Sequence, residues 1–296
     1  MHTFNNVRID QAEGLRRAVR PKPVRVITVT SGKGGVGKTN ISANLACTMA
    51  NSGKKVLLLD ADLGLANIDV VLGLKAKYNL SHVLNGKCSL EDILIEGPSG
   101  VKIIPASSGI QNMSELSKAE HAGLIRSFSD LSFTPDILIV DTAAGISDSV
   151  VSFSNASHDL IVVVCDEPAS ITDAYALIKL LNKEHSCNRF RVITNMVGSA
   201  QEGHELYRKL LKVADKFLDV TLNHMGSIPY DEYLRKAIQK QKPVVNSFPR
   251  SRSALAFTKA IQKIDQWPVP DSASGHIEFF VERMFGNINS KMAAMV

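Results

Sequence analysis

The sequence predicts a doubly wound α/β fold, a mainly parallel sheet with helices on both faces. Two observations carry this. Short apolar runs, nearly continuous in Val, Ile and Leu, recur at 24–30, 55–60, 101–105, 137–141, 160–165, 191–195 and 220–228. Half-exposed strands alternate apolar and polar residues, whereas strands covered on both faces do not, so these runs read as a buried parallel sheet. Between them lie helical patterns, at 38–51 with Gly53 as a stop, 172–184, 201–219 and 253–266. Strand and helix in alternation wind into a layered sheet whose ligands sit at the carboxyl ends of the strands.

The elements divide the chain of 296 residues into four expected zones. Residues 1–23 form a polar arm ending in Arg20-Pro21-Lys22-Pro23, where the prolines stop any helix from running through. Residues 24–267 form the α/β domain, 268–274 a second Pro- and Ser-containing linker, and 275–296 an amphipathic tail. Apolar residues are 45% and charged residues 21%, an ordinary globular composition. The formal charge of +5 is too small, spread over such a surface, to argue for nucleic acid. No apolar run is long enough to span a membrane or serve as a secretory signal. Cys47, Cys88, Cys165 and Cys187 form no CxxC pair, which disfavours zinc or iron–sulfur sites and suits reduced thiols in the cytosol.

The first strand runs into Ser31-Gly32-Lys33-Gly34-Gly35-Val36-Gly37-Lys38-Thr39, followed by Asn40. This is GxxxxGK[ST] between a strand and a helix, a phosphate cradle. Glycines let main-chain N–H groups curl around phosphates, and the next helix turns its positive end to them. Lys38 is expected on the β- and γ-phosphates and the Thr39 hydroxyl on Mg²⁺. The second strand ends in Asp60-Ala61-Asp62, with Asn67 beyond it, and the fourth predicted strand ends in Asp141-Thr142-Ala143-Ala144-Gly145. Carboxylates at strand ends can hold Mg²⁺ and orient an attacking water. Asp60 is expected mainly to support the P-loop. Asn195 closes another strand, and an amide can both donate to and accept from a base edge. Pro229 and Asp231 follow the last strand; Asp231 reads equally well as the N-cap of the next helix.

An ordinary P-loop does not need Lys33. SGKGGVGKT resembles the deviant Walker A ATPases that include MinD and ParA. That resemblance implies a MinD-like P-loop NTPase fold, ATP, ADP and Mg²⁺ as cofactors, and slow hydrolysis. It also implies an ATP-dependent homodimer in which Lys33 reaches the partner's nucleotide. It places Asp62 as the water-orienting carboxylate, Asn67 in the same switch and Asp141 as the Mg²⁺-linked carboxylate. Asn195, Pro229 and Asp231 fall on base-binding positions, and Glu167 on an acidic residue that touches the partner's nucleotide.

The two ends carry further expectations. Ile277, Phe280, Val281, Met284, Phe285 and Ile288 make one helical stripe, which reads as an interfacial membrane anchor or as a helix packed on the body. It resembles the MinD membrane-targeting helix but is less basic, so lipid binding should need two tails together. In the arm, Asp10-Gln11-Ala12-Glu13-Gly14-Leu15-Arg16 resembles the DQAxxLR arm of the FlhG/FleN (YlxH) family of flagellar-number ATPases. The resemblance implies that Asp10, Gln11, Leu15 and Arg16 meet a flagellar GTPase of the FlhF type. It also implies contact with flagellar C-ring proteins and the flagellar transcription activator, and a cytoplasmic protein peripheral on the inner face of the membrane. Direct DNA binding is not expected. A ParA-like DNA-segregation ATPase and a MinD-type division-site regulator remain the alternatives.

Overall fold

The computed structural model describes residues 23–62, 67–106, 118–268 and 280–282. β1 (Arg25–Ser31) passes through the glycine loop into α1 (Lys38–Asn51), and β2 (Val56–Ala61) follows. Three short helices, α2 (Ile68–Leu72), α3 (Leu80–Leu84) and α4 (Leu90–Ile93), lead to β3 (Ile95–Glu96) and β4 (Lys102–Ile104). Then come α5 (Lys118–Ser129), β5 (Ile137–Ala144), α6 (Asp148–Ala156), β6 (Asp159–Cys165) and α7 (Pro168–His185). The remainder is β7 (Arg189–Val197), α8 (Ala200–Phe217), β8 (Thr221–Pro229), α9 (Glu232–Gln239), α10 (Val244–Ser247) and α11 (Arg252–Ile264).

The strands form one eight-stranded sheet in the order β3-β4-β2-β5-β1-β6-β7-β8. All neighbours run parallel except β3, which pairs antiparallel with β4 at the edge. The continuous apolar runs have a plain cause. Successive side chains leave a strand on opposite faces, and here both faces are covered. Val56 and Leu58 join one core cluster while Leu57 and Leu59 join another. Likewise Ile161 and Val163 face α1 and α11, whereas Leu160, Val162 and Val164 face α7 and α8.

The expected elements are present with ends shifted by a few residues, as fraying ends usually are. β3, α2, α3, α4, α5, α6 and α10 were not expected, whereas α9 follows Asp231 as the N-cap reading implies. β3 has two residues and α2, α3, α4 and α10 four or five each, too short for a periodic signal. α6 carries Ser at three of its nine positions, and its apolar residues make sense only against β5 and β1.

The tail departs from a lipid-facing reading. Phe280 and Val281 are each 1% exposed and belong to the core cluster that contains Val26, Leu138 and Phe153. The Phe280 ring stacks on Phe153 at 6.3 Å between centroids. In this state the body, rather than lipid, covers those two side chains, because the face of α6 and β5 offers a large apolar seat. Ile277, Met284, Phe285 and Ile288 lie outside the described residues, as do Asp10, Gln11, Leu15 and Arg16 of the arm. Among the described residues no helix is long and apolar enough to cross a membrane.

Candidate nucleotide site

The site is assembled at the carboxyl end of the sheet, where β1 lies between β5 and β6. The loop from Gly32 to Gly37 closes on α1, whose N-cap Gly37 has φ of 91°. That left-handed backbone suits glycine, and a Cβ there would also stand 2.5 Å from Asn195 Nδ2. Gly32 is needed for a different reason. A Cβ on it would meet the carbonyl carbon and oxygen of Asp173 in α7 at 2.1 and 2.2 Å. Gly34 has open space around the same position. Gly32→Ala should therefore destabilise the nucleotide-free protein by about 1–3 kcal/mol, the usual cost of overpacking. Gly34→Ala should leave its thermal midpoint almost unchanged. Equal melting of the two variants would refute this account of Gly32.

Lys38 begins α1 and is 8% exposed, with Nζ donating to Ser31 Oγ at 2.9 Å. Burial lowers its pKa, opposed by the negative charge of Asp141 and Asp62. Its ammonium is thus held in low dielectric next to carboxylates, ready to meet phosphate oxygens.

Asp60 and Asp141 are register partners on adjacent strands. Asp60 accepts from the backbone N–H groups of Asp62 at 3.1 Å, Asn67 at 3.0 Å and Ile68 at 3.1 Å. It therefore braces the segment after β2, not the P-loop as expected from sequence. Burial pushes its pKa up to about 6, against those three donors. Asp62 is half-buried, with Asn67 Nδ2 3.5 Å from its Oδ2.

Asp141 is fully buried, and burial, helped by the charge of Asp60, pushes its pKa up to about 7. Ser42 Oγ donates to its Oδ1 at 2.8 Å, while its Oδ2 has no hydrogen-bond partner among the described residues. A carboxylate oxygen buried without a partner is costly unless a cation meets it. The Thr39 hydroxyl bonds to the same carboxylate, and Asp62 and Asp141 both act on Lys38, so the donor set is all oxygen, which fits Mg²⁺. Among the described residues no three His, Cys, Asp or Glu cluster as a metal cage. Mg²⁺ at phosphate sites needs no such cage, since it takes one or two carboxylates and completes its shell with water and phosphate.

Beside the loop a cavity of about 180 Å³ is lined by Asn40, Asn195, Pro229 and Asp231, and also by Met196, Tyr230, Leu234 and Arg235. Asn195 is 4% exposed, and its Nδ2 donates to Val36 O at 2.8 Å, which ties β7 to the P-loop. Asp231 accepts from Tyr233 N at 2.9 Å, and from Ser253 N at 2.9 Å and Ser253 Oγ at 2.8 Å. It caps α9 and clamps it to α11, so its part in the cavity is to shape the wall. Sequence reasoning missed Ser42, although it lies one helical turn after Lys38 and faces the same strand ends. Tyr230 lies between Pro229 and Asp231 in the stretch the sequence marked, whereas nothing local marked Met196 or Arg235.

Lys33 points out of the loop, and its Nζ donates to Glu167 Oε2 at 2.5 Å. That hydrogen bond, with the Glu167 charge, raises the lysine's pKa. Both side chains are open to solvent, at 38% and 57% exposure. An exposed pair of this kind is weak and readily exchanged.

Comparisons with known proteins agree with this geometry. The ParA family model, described as "NUBPL iron-transfer P-loop NTPase", matches residues 22–265. The antiactivator FleN of Pseudomonas aeruginosa is 60% identical over 262 residues, covering 88% of this chain and 94% of that protein. The flagellum site-determining protein YlxH of Helicobacter pylori is 36% identical over 255 residues, covering 86% and 85%. Among solved structures, the septum site-determining protein MinD complexed with Mg-ADP from Pyrococcus horikoshii is similar, with a TM-score of 0.62 and 26% identity. That match covers 82% of this chain and 96% of that one. A chain of the MinC:MinD cell division protein complex of Aquifex aeolicus is similar at a TM-score of 0.63 and 28% identity, covering 84% and 98%.

Proposed function

The chain belongs to the ParA/MinD family of P-loop ATPases, with FleN and YlxH among its relatives, and from that premise we propose that it is an ATP-gated dimer switch controlling flagellar number or placement. The carrying observation is the second P-loop lysine, Lys33, exposed beside the nucleotide site and paired there with the equally solvent-open Glu167. A lysine inside the cradle would serve its own nucleotide. One outside it, loosely paired, is available to a nucleotide bound by a second copy.

In this reading Lys38 and the main-chain N–H groups from Gly34 to Thr39 bind the triphosphate. Thr39 and Asp141 would hold Mg²⁺, with Asp62 close by, and the ion supplies charge neutralisation for the phosphates. Asp62 orients water and accepts its proton. Asn40, Asn195, Pro229 and the wall set by Asp231 enclose the base, and Asp60 with Asn67 keeps the Asp62 segment in register. Lys33 and Glu167 part as the dimer forms, each turning to the partner's nucleotide. Hydrolysis then undoes the contact, so the ATPase reaction times the dimer.

The buried Phe280 and Val281 support a tail stowed on the body before dimerisation. Full burial of such side chains is favourable by about 1.5–3 kcal/mol each, from which the cost of ordering the tail must be subtracted. A net balance of that size can be reversed by dimer contacts and two-tailed lipid binding. The arm at 1–23 is assigned to an FlhF-type GTPase. The flagellar C-ring and the transcription activator are further partners, and the site of action is the cytoplasmic face of the membrane.

Co-sedimentation with anionic liposomes tests this reading. The full chain should pellet with ATP and remain in solution with ADP. A chain lacking residues 275–296 should remain in solution with either. Equal pelleting under all four conditions would remove the switch.

A further inference from the structure

A second groove lies at the far end of the sheet. β8 is the last strand, and among the described residues it pairs only with β7. α8 and α11 stand on either side of its outer edge and leave a cavity of about 570 Å³ between them. One face of α11, at spacings of three and four residues, supplies Arg252, Leu255, Lys259 and Lys263, all exposed. Met225 and Val197 contribute apolar floor.

The charge on this wall is of one sign, for no carboxylate lines the cavity. Arg252 donates to Gly198 O at 3.1 Å and Lys263 to His224 O at 3.2 Å, while Lys259 has no ion pair among the described residues. His224 adds no charge near neutral pH. Burial, with the nearby Lys263, lowers its pKa to about 4. The groove therefore combines an apolar floor with three cations along one wall. The edge of β8 itself is blunted: its outward carbonyls at Leu222 and His224 accept from Tyr207 Oη at 2.7 Å and Lys263 Nζ at 3.2 Å, and the strand is bulged and ends in Pro229.

We propose that this groove docks an extended acidic segment of a partner protein, which lies along the α11 wall and turns its carboxylates toward Arg252, Lys259 and Lys263. Complementary charge sets the choice of partner and the rate of encounter, and the apolar floor adds contact area. An alternating acidic and apolar segment places one set against the α11 wall and the other on Met225, Val197 and the exposed Leu255.

Other occupants fit less well. A second copy joined edge to edge would bring two cationic walls together. The chain's own arm at 1–22 holds five Arg and Lys against Asp10 and Glu13, and residues 283–296 hold Arg283 and Lys291 with no acid, so both are repelled. Single-stranded nucleic acid needs open aromatic platforms. Here Tyr207 is stacked on His224 at 4.9 Å, and His204 lies 5.6 Å from His224, so the rings engage one another.

The inference goes beyond the nucleotide switch and does not depend on it, so the test uses the full chain without nucleotide. A short fluorescein-labelled peptide alternating Val and Glu is titrated by anisotropy beside one alternating Val and Lys. The acidic peptide should bind, and more weakly at higher salt. Lys259→Glu should weaken it by about tenfold or more, and Lys259→Arg should restore it. Lys259 is exposed, so neither variant should alter folding. Three outcomes would overturn the proposal: no binding of the acidic peptide, equal binding of both peptides, or a short single-stranded oligonucleotide that binds with the same dependence on Lys259.

Discussion

Lys38→Ala is expected to abolish MgATP binding at concentrations that saturate the parent protein. Lys38 is nearly buried, its Nζ is positioned by Ser31, and its charge opposes those of Asp141 and Asp62. Alanine removes the only cation identified among these groups and leaves the carboxylates facing incoming phosphates. Loss of one partner from a buried charged arrangement costs about 3–5 kcal/mol. At about 1.4 kcal/mol per decade, that is more than a hundredfold in affinity. Calorimetric titration with MgATP measures it, and binding within tenfold of the parent would refute the assignment. The apo variant should remain folded, because relief of the lysine's own desolvation partly offsets the lost packing.

Asp62→Ala should separate binding from turnover. The side chain lies outside the triad of backbone bonds that Asp60 makes to Asp62, Asn67 and Ile68, so the segment stays braced when the carboxylate is removed. Removal of a positioned proton acceptor usually costs on the order of 10²–10⁴ in rate. Phosphate release should fall by that factor, while ATP-dependent dimerisation, read by light scattering after size exclusion, persists or increases. An Asp62→Ala protein that stays monomeric with ATP, or hydrolyses at the parental rate, would remove Asp62 from this role.

Much of the fold was legible because its signals are local. A strand buried on both faces must be apolar at consecutive positions, and the helices between carry their own stripes and stops. β3 and α6 were not, since their stability comes from β4 and β5 and not from their own residues. The candidate site divides similarly. Gly32 to Thr39 announces itself, because phosphate binding demands glycines and a lysine at fixed spacing within one loop. Asp60 was misread as a support for the P-loop, since its three donors lie on the chain after it, two of them seven and eight residues on. Asp231 turned out to clamp two helices, and its partner Ser253 is 22 residues away.

The sequence by itself determined the parallel sheet, the phosphate cradle and the identity of the carboxylates at the strand ends. Each is imposed by backbone geometry over a few consecutive residues. Tertiary structure decided that Lys33 rests on Glu167, 134 positions along the chain, and that Phe280 and Val281 lie against Phe153. It also decided that α11 turns a cationic face toward the apolar groove beside β8. Such choices depend on which surfaces meet once the layers pack, and pairwise contacts across the whole chain leave no local pattern to read.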